Sequence, residues 1–230
     1  MNTRPLLPLA AVWFAVLPVA PASALITTSS LDTFAASNEG WRIGGAGVQP
    51  ARVASAGPDS QIGYLSHFSD GGGANGKWLM WSGQSQWLGD YTSAGVTGIS
   101  LWANVSAGTA PVSLRVAFDG PGGWFYSAGQ SAGAGWTEYS FSLAPTNFTY
   151  ATGSGGTGVL GGTMSGVTRF SILAGGGSVS YRANGDLLQA GASANTILLD
   201  NIGAVPEAST YALLLMTGAG ALLFFGKRRP

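Results

Sequence analysis

From Ile99 to Phe118 apolar and polar residues alternate with a period of two. Ile99, Leu101, Ala103 and Val105 stand against Ser100, Trp102 and Asn104; Val112, Leu114, Val116 and Phe118 stand against Ser113, Arg115 and Asp119. Successive side chains of a strand point to opposite faces, so the pattern demands two half-buried strands and excludes an amphipathic helix. Ala107-Gly108-Thr109-Ala110 between them reads as a short connection, which predicts that the two runs are neighbouring antiparallel strands.

Further strands are expected over 41–48, 62–68, 77–82, 124–127, 136–143, 167–174 and 196–202, with no helical periodicity away from the two ends. Glycine supplies 37 of the 230 residues and clusters between these segments, as at Gly71-Gly72-Gly73 and Gly175-Gly176-Gly177, which suits short strands with tight turns. Many strands without alternating helices predict an all-β antiparallel sandwich, in jelly-roll form, over residues 25–204. That length suffices for a single core. Lys and Arg number six there against nine Asp and Glu, a net charge of −3, which excludes nucleic acid as a partner. The absence of cysteine removes disulfides, thiolate metal sites and cysteine nucleophiles.

The two ends carry different information. Arg4, the apolar stretch 6–19 and the small residues Ala22 and Ala24 form the pattern of a secretory signal peptide over residues 1–24, with cleavage by signal peptidase expected after Ala24. At the other end, an uncharged apolar run of 16 residues over 211–226 is followed by Lys227, Arg228 and Arg229. Such a run predicts a short transmembrane helix whose basic end stays cytoplasmic, leaving the preceding domain outside the inner membrane.

Immediately before that run stand Val205, Pro206, Glu207, Ala208, Ser209 and Thr210. Together with the apolar segment and the basic end at 227–230, this box over 205–211 resembles the PEP-CTERM sorting signal, with Ala208 where that family carries a second proline. The resemblance covers residues 205–230. It implies processing by an exosortase in a Gram-negative bacterium that makes exopolysaccharide. The protein would be anchored transiently in the inner membrane, with its domain in the periplasm, and then released to the cell surface or biofilm matrix.

A second resemblance lies inside the domain. Leu31-Asp32-Thr33-Phe34, Glu39-Gly40-Trp41 and the closing segment 197–202 are similar to the first and last strands of galactose-binding-like and carbohydrate-binding-module jelly rolls, which pair in one sheet. It implies a structural calcium ion at Asp200 with Asp32 or Glu39, since Ca²⁺ takes hard oxygen ligands.

No catalytic residues are assigned. The one histidine, His67, lacks a nucleophile elbow to serve, and the carboxylates show no pattern that sets two across a sugar. With its aliphatic face buried, the predicted strand pair would present Trp102, Asn104, Arg115 and Asp119 outward, joined by Trp124 and Tyr126. Such a patch is expected to stack and hydrogen-bond a sugar. The competing reading packs these tryptophans between the sheets. The expected function is therefore a non-catalytic surface or matrix protein that binds exopolysaccharide through an aromatic face. The alternatives are a structural or adhesive protein with protein partners and, last, a secreted hydrolase.

Overall fold

A computed structural model of the chain describes residues 25–44, 47–58, 60, 62–69, 78–107, 112–190 and 194–206. In chain order the described elements are β1 (Leu31–Asp32), β2 (Arg42–Ile43), β3 (Ala51–Ala56), β4 (Ile62–Ser69), β5 (Trp78–Ser82), β6 (Val96–Ala107), β7 (Val112–Asp119) and β8 (Phe125–Ser127). They continue with β9 (Gln130–Ala132), β10 (Thr137–Ser142), β11 (Phe148–Tyr150), the single helical turn α1 (Leu160–Met164), β12 (Arg169–Gly175), β13 (Val179–Tyr181), β14 (Leu187–Gln189) and β15 (Asn195–Pro206).

All pairings are antiparallel. The first sheet runs β10-β6-β15-β4-β3, with β1 also on β15; the second runs β11-β8-β7-β12-β5-β2, with β9 on β7. The first and last strands pair as expected, Leu31 opposite Gly203 and Asp32 opposite Ile202. The inner faces meet in one core that takes Leu65, Ile99, Leu101 and Leu199 from the first sheet and Met80, Leu114, Val116 and Phe118 from the second. Phe170 lies at its centre, stacked on Phe118 at 5.2 Å and in contact with Trp41 and Trp87 at 5.6 and 5.0 Å. Aromatic pairs at this spacing add to what their buried area contributes.

One expectation fails here. β6 and β7 are not neighbours: β6 lies between β10 and β15 in the first sheet, and β7 between β8 and β12 in the second. Their alternation identifies the buried face of each strand correctly, but the two faces oppose each other across the core. The chain crosses between sheets instead of turning back as a hairpin.

A second layer covers the second sheet. The hairpin β13–β14, with Val179 opposite Gln189, closes a small core of Leu79, Ala117, Trp124, Ala151, Leu173 and Leu187 on the outer face of that sheet. The sheet is thus buried on both sides, which explains why Ala117 and Leu173 are inaccessible although they alternate out of phase with the main core.

The domain's last strand also runs past Ala204. Val205 pairs with Gly98 and Pro206 with Val96, so the first two residues of the sorting box belong to β15. Ala22, Ala24, Glu207, Ala208, Ser209 and Thr210, with the predicted signal peptide and transmembrane run, lie outside the described residues. Among the described residues no helix is long and apolar enough to cross a membrane.

Candidate functional site

The exchange between sheets divides the six residues expected to share one outward patch. Trp102 and Asn104 face outward from the first sheet. Arg115, Asp119, Trp124 and Tyr126 belong to the second sheet and its loops, on the other side of the sandwich.

On the first sheet, Leu101, Ala103 and Val105 are buried, so Trp102 and Asn104 stand half-buried on the opposite face. Glu138 of β10 lies opposite Trp102 and is exposed. Asn104 is opposite Leu198 of β15, and Leu198 is opposite Ser66 of β4, a row across three strands. Tyr64, two residues from Ser66, shares that face. Trp136, just before β10, meets Tyr64 edge-on with ring centroids 5.4 Å apart. Since β6 and β15 lie between β10 and β4, this ring contact spans both strands. The loop that carries Trp136 is tied down by the Gly135 N–H, which donates to Asn104 Oδ1 at 3.0 Å, and the Ser55 hydroxyl donates to Tyr64 Oη at 3.4 Å.

The result is a sheet face with three half-buried aromatic rings, an amide and an exposed carboxylate. Tyr64, Trp136 and Glu138 were not among the residues expected at a binding site. The alternation of Leu65 against Tyr64 and Ser66 is the signal that could have found the tyrosine.

The second sheet holds its residues differently. Trp124 is 1% exposed, lies in the small core beneath β13–β14 and donates its indole N–H to the Gly185 carbonyl at 3.2 Å. It is packing, not a ligand platform. Arg169 lies over Trp81 at 4.2 Å and pairs with Asp186 at 2.7 Å, a stacked and charge-assisted clamp on the same layer. Asp119 is half-buried opposite Arg169; burial pushes its carboxyl up, against the opposing pull of the Gly120 N–H and the Arg169 charge. Tyr126 is half-buried, with the Arg115 guanidinium 5.8 Å from its ring centre.

The acidic residues Asp32, Glu39 and Asp200 do come together, at the corner where β1 joins β15. Asp32, 1% exposed, accepts the indole N–H groups of Trp41 and Trp87 on Oδ2 at 2.6 and 2.7 Å and the Gln86 amide on Oδ1. Glu39 Oε1 accepts the Phe34 N–H at 3.1 Å, and Asp200 Oδ1 accepts the Asn201 N–H at 2.8 Å. Phe34, Glu39 and Asn201 all adopt left-handed backbone, with φ of 54°, 49° and 47°, a strained set that the surrounding contacts must hold. Gly63 packs beneath it with φ of 132°; a Cβ there would stand 2.2 Å from the Phe34 carbonyl oxygen.

Burial, hydrogen bonding to Asp32 and the charges of Asp32 and Asp200 push Glu39 up to about 8. Burial and mutual repulsion thus disfavour full ionisation of the three carboxyls at this corner. This donor set does not fit a resident calcium ion. Ca²⁺ takes six to eight oxygens, whereas both Asp32 oxygens are already committed to N–H donors, and among the described residues no group of three or more acids or imidazoles converges to hold a metal. His67 lies on β4 opposite Ile197, and burial pushes its imidazole down.

No family model matches the chain, and no curated protein matches it. Among solved structures it is similar to the CBM22-1 xylan-binding domain of Paenibacillus barcinonensis Xyn10C, at 15% identity and a TM-score of 0.42 over 80% of this chain and 99% of that one. It is also similar to an exo-β-agarase, at 11% identity and a TM-score of 0.45 over 69% of this chain and 22% of that one. Likeness at this level leaves the functional reading to rest on the chain's own residues.

Proposed function

We propose that this chain is a non-catalytic protein of the bacterial surface or extracellular matrix that binds exopolysaccharide across the outer face of its first sheet. The observation that carries the reading is the set Trp102, Tyr64 and Trp136, three half-buried aromatic rings on one face beside Asn104 and the exposed Glu138. A sugar ring presents an apolar face to an aromatic and hydroxyls to amide and carboxylate groups; platforms with a few placed polar groups hold such ligands. A sheet of paired strands fixes these side chains before the ligand arrives, which lowers the ordering cost of binding.

The antiparallel two-sheet order, with first and last strands paired, supports the jelly-roll form of the sandwich. Export by the signal at 1–24, transient anchoring through 211–226 and exosortase processing at the box from Val205 belong to the same proposal. They rest on the sequence pattern. Affinity electrophoresis through gels containing the producing organism's own exopolysaccharide tests the binding reading. Retardation that is lost in Trp102→Ala and Trp136→Ala supports it, while equal migration with and without polysaccharide rejects it in favour of a structural or protein-adhesive role.

A further inference from the structure

The outer face of the first sheet continues along β4 past Tyr64. Leu65 and Ser69 are buried, so alternation turns Tyr64, Ser66 and Phe68 outward. Phe68 is 56% exposed, a large aromatic ring in contact with water. It stands opposite Thr196 of β15, and Thr196 and Leu198 share the outward side of that strand between the buried Asn195, Ile197 and Leu199. At about 3.3 Å per residue, Phe68 lies about 13 Å along the strand from Tyr64. A pyranose ring is about as broad as the gap between neighbouring strands, about 4.8 Å, so one sugar cannot reach from Tyr64 to Phe68.

The ground between the rings is polar. Ser66 and Thr196 bring hydroxyls, and Asn104, opposite Leu198, has its Oδ1 taken by the Gly135 N–H, which leaves its amide N–H groups to donate. Charge on this side has one sign. Arg52 of β3 stands opposite the inward Leu65 and donates to the Phe34 and Ala35 carbonyls, away from the face. Among the described residues of β3, β4, β6, β10 and β15 that face outward, Glu138 is the one exposed charge. A face with a carboxylate and no cation disfavours an acidic polymer and suits an uncharged one.

We infer that Phe68 is a further binding residue of this face, and that the face takes an uncharged, linear stretch of polysaccharide at least three sugar residues long, running from Trp102, Tyr64 and Trp136 at one end to Phe68 at the other. The inference rests on the glycan-binding reading of the first sheet and adds to it the length and the charge of the ligand.

The test titrates the full chain with neutral ladders, from disaccharide to hexasaccharide, prepared from cellulose, β-1,3-glucan, mannan and galactan, and with oligogalacturonates as the acidic comparison. Wild type, Phe68→Ala and Trp102→Ala are compared, with each variant's melting temperature recorded; Phe68→Leu, which keeps apolar bulk without the ring, decides if Phe68→Ala does not fold. The expected result is affinity for at least one neutral ladder that rises with length up to the trisaccharide or beyond and exceeds affinity for oligogalacturonates. Phe68→Ala should weaken the longer oligosaccharides about tenfold and leave the disaccharide unchanged, whereas Trp102→Ala weakens every length. Affinity already complete at the disaccharide, longer oligosaccharides bound equally by wild type and the Phe68 variants, or tighter binding of oligogalacturonates overturns the inference and leaves the glycan-binding reading standing. Binding to none of the ladders also overturns it, and electrophoresis through the organism's own exopolysaccharide then decides separately whether the glycan-binding reading falls with it.

Discussion

Replacing Asp32 by Leu removes a carboxylate of similar size and strands the two indole N–H groups that donate to it at 2.6 and 2.7 Å. Trp41 and Trp87 are both fully buried, so neither indole reaches water, whereas the half-exposed Gln86 amide does. A buried donor left without its acceptor costs about 1–3 kcal/mol, so two give about 4 kcal/mol, less whatever is recovered by no longer burying a charge. The net expectation is about 3 kcal/mol. For a domain of this size that is a fall in Tm of about 6–12 °C, measured by calorimetry or by far-UV circular dichroism. Trp87→Phe serves as the second arm of a double-mutant cycle. With one donor gone, Asp32→Leu should cost about 1–2 kcal/mol less than in the wild type, a coupling that general repacking would not produce. A Tm shift below about 3 °C for Asp32→Leu, or a coupling near zero, would refute the claim that this carboxylate ties the N-terminal segment to the aromatic core.

Glu39 is pushed up to about 8 in the folded chain from about 4.5 unfolded, so the stability tied to its proton is fully present below about 4.5 and is lost as pH rises through about 8. Discounted for partial exposure, the loss is about 1–2 kcal/mol. Burial lowers His67, whose contribution acts at and below its ordinary 6.5, so comparing Tm at pH about 7 and about 8.5 isolates Glu39, and Glu39→Gln should flatten that interval. Because both Asp32 oxygens are taken by N–H donors, EDTA should leave Tm unchanged at neutral pH; a clear drop would show that a cation is held there after all. Gly63→Ala, which drives a Cβ against the Phe34 carbonyl at a φ of 132°, should lose about 3 kcal/mol or more in denaturant unfolding.

The sequence makes the strands legible where alternation is long. β6, β7 and β15 each have enough residues for the buried face to be read, and β1 opposite β15 follows from the similarity of the terminal segments. Alternation specifies a face but not a sheet. Two strands whose apolar sides meet across a core look the same as two neighbours in one sheet, which is why Trp102 and Arg115 seemed to share a surface. Trp124 was misplaced for a related reason: it is covered by β13 and β14, strands of three residues each, too short to carry a period. The short helix α1 is not legible in the sequence, because five residues with glycine at 161 and 162 show no helical stripe. Asp32, Glu39 and Asp200 lie at one corner, but a carboxylate in a sequence does not disclose its donors, and the two buried indoles decide what Asp32 does.

The measurement that tests the central claim most directly is isothermal titration of the purified protein with oligosaccharides of the organism's exopolysaccharide, comparing wild type, Trp102→Ala and Arg115→Gln on the opposite sheet. The account predicts saturable binding to the wild type, weakened about thirtyfold in Trp102→Ala, about 2 kcal/mol for loss of an aromatic platform, and a Trp102 site that persists in Arg115→Gln. Binding of wild-type strength in a folded Trp102→Ala variant, or no heat with any of the three proteins, would contradict it.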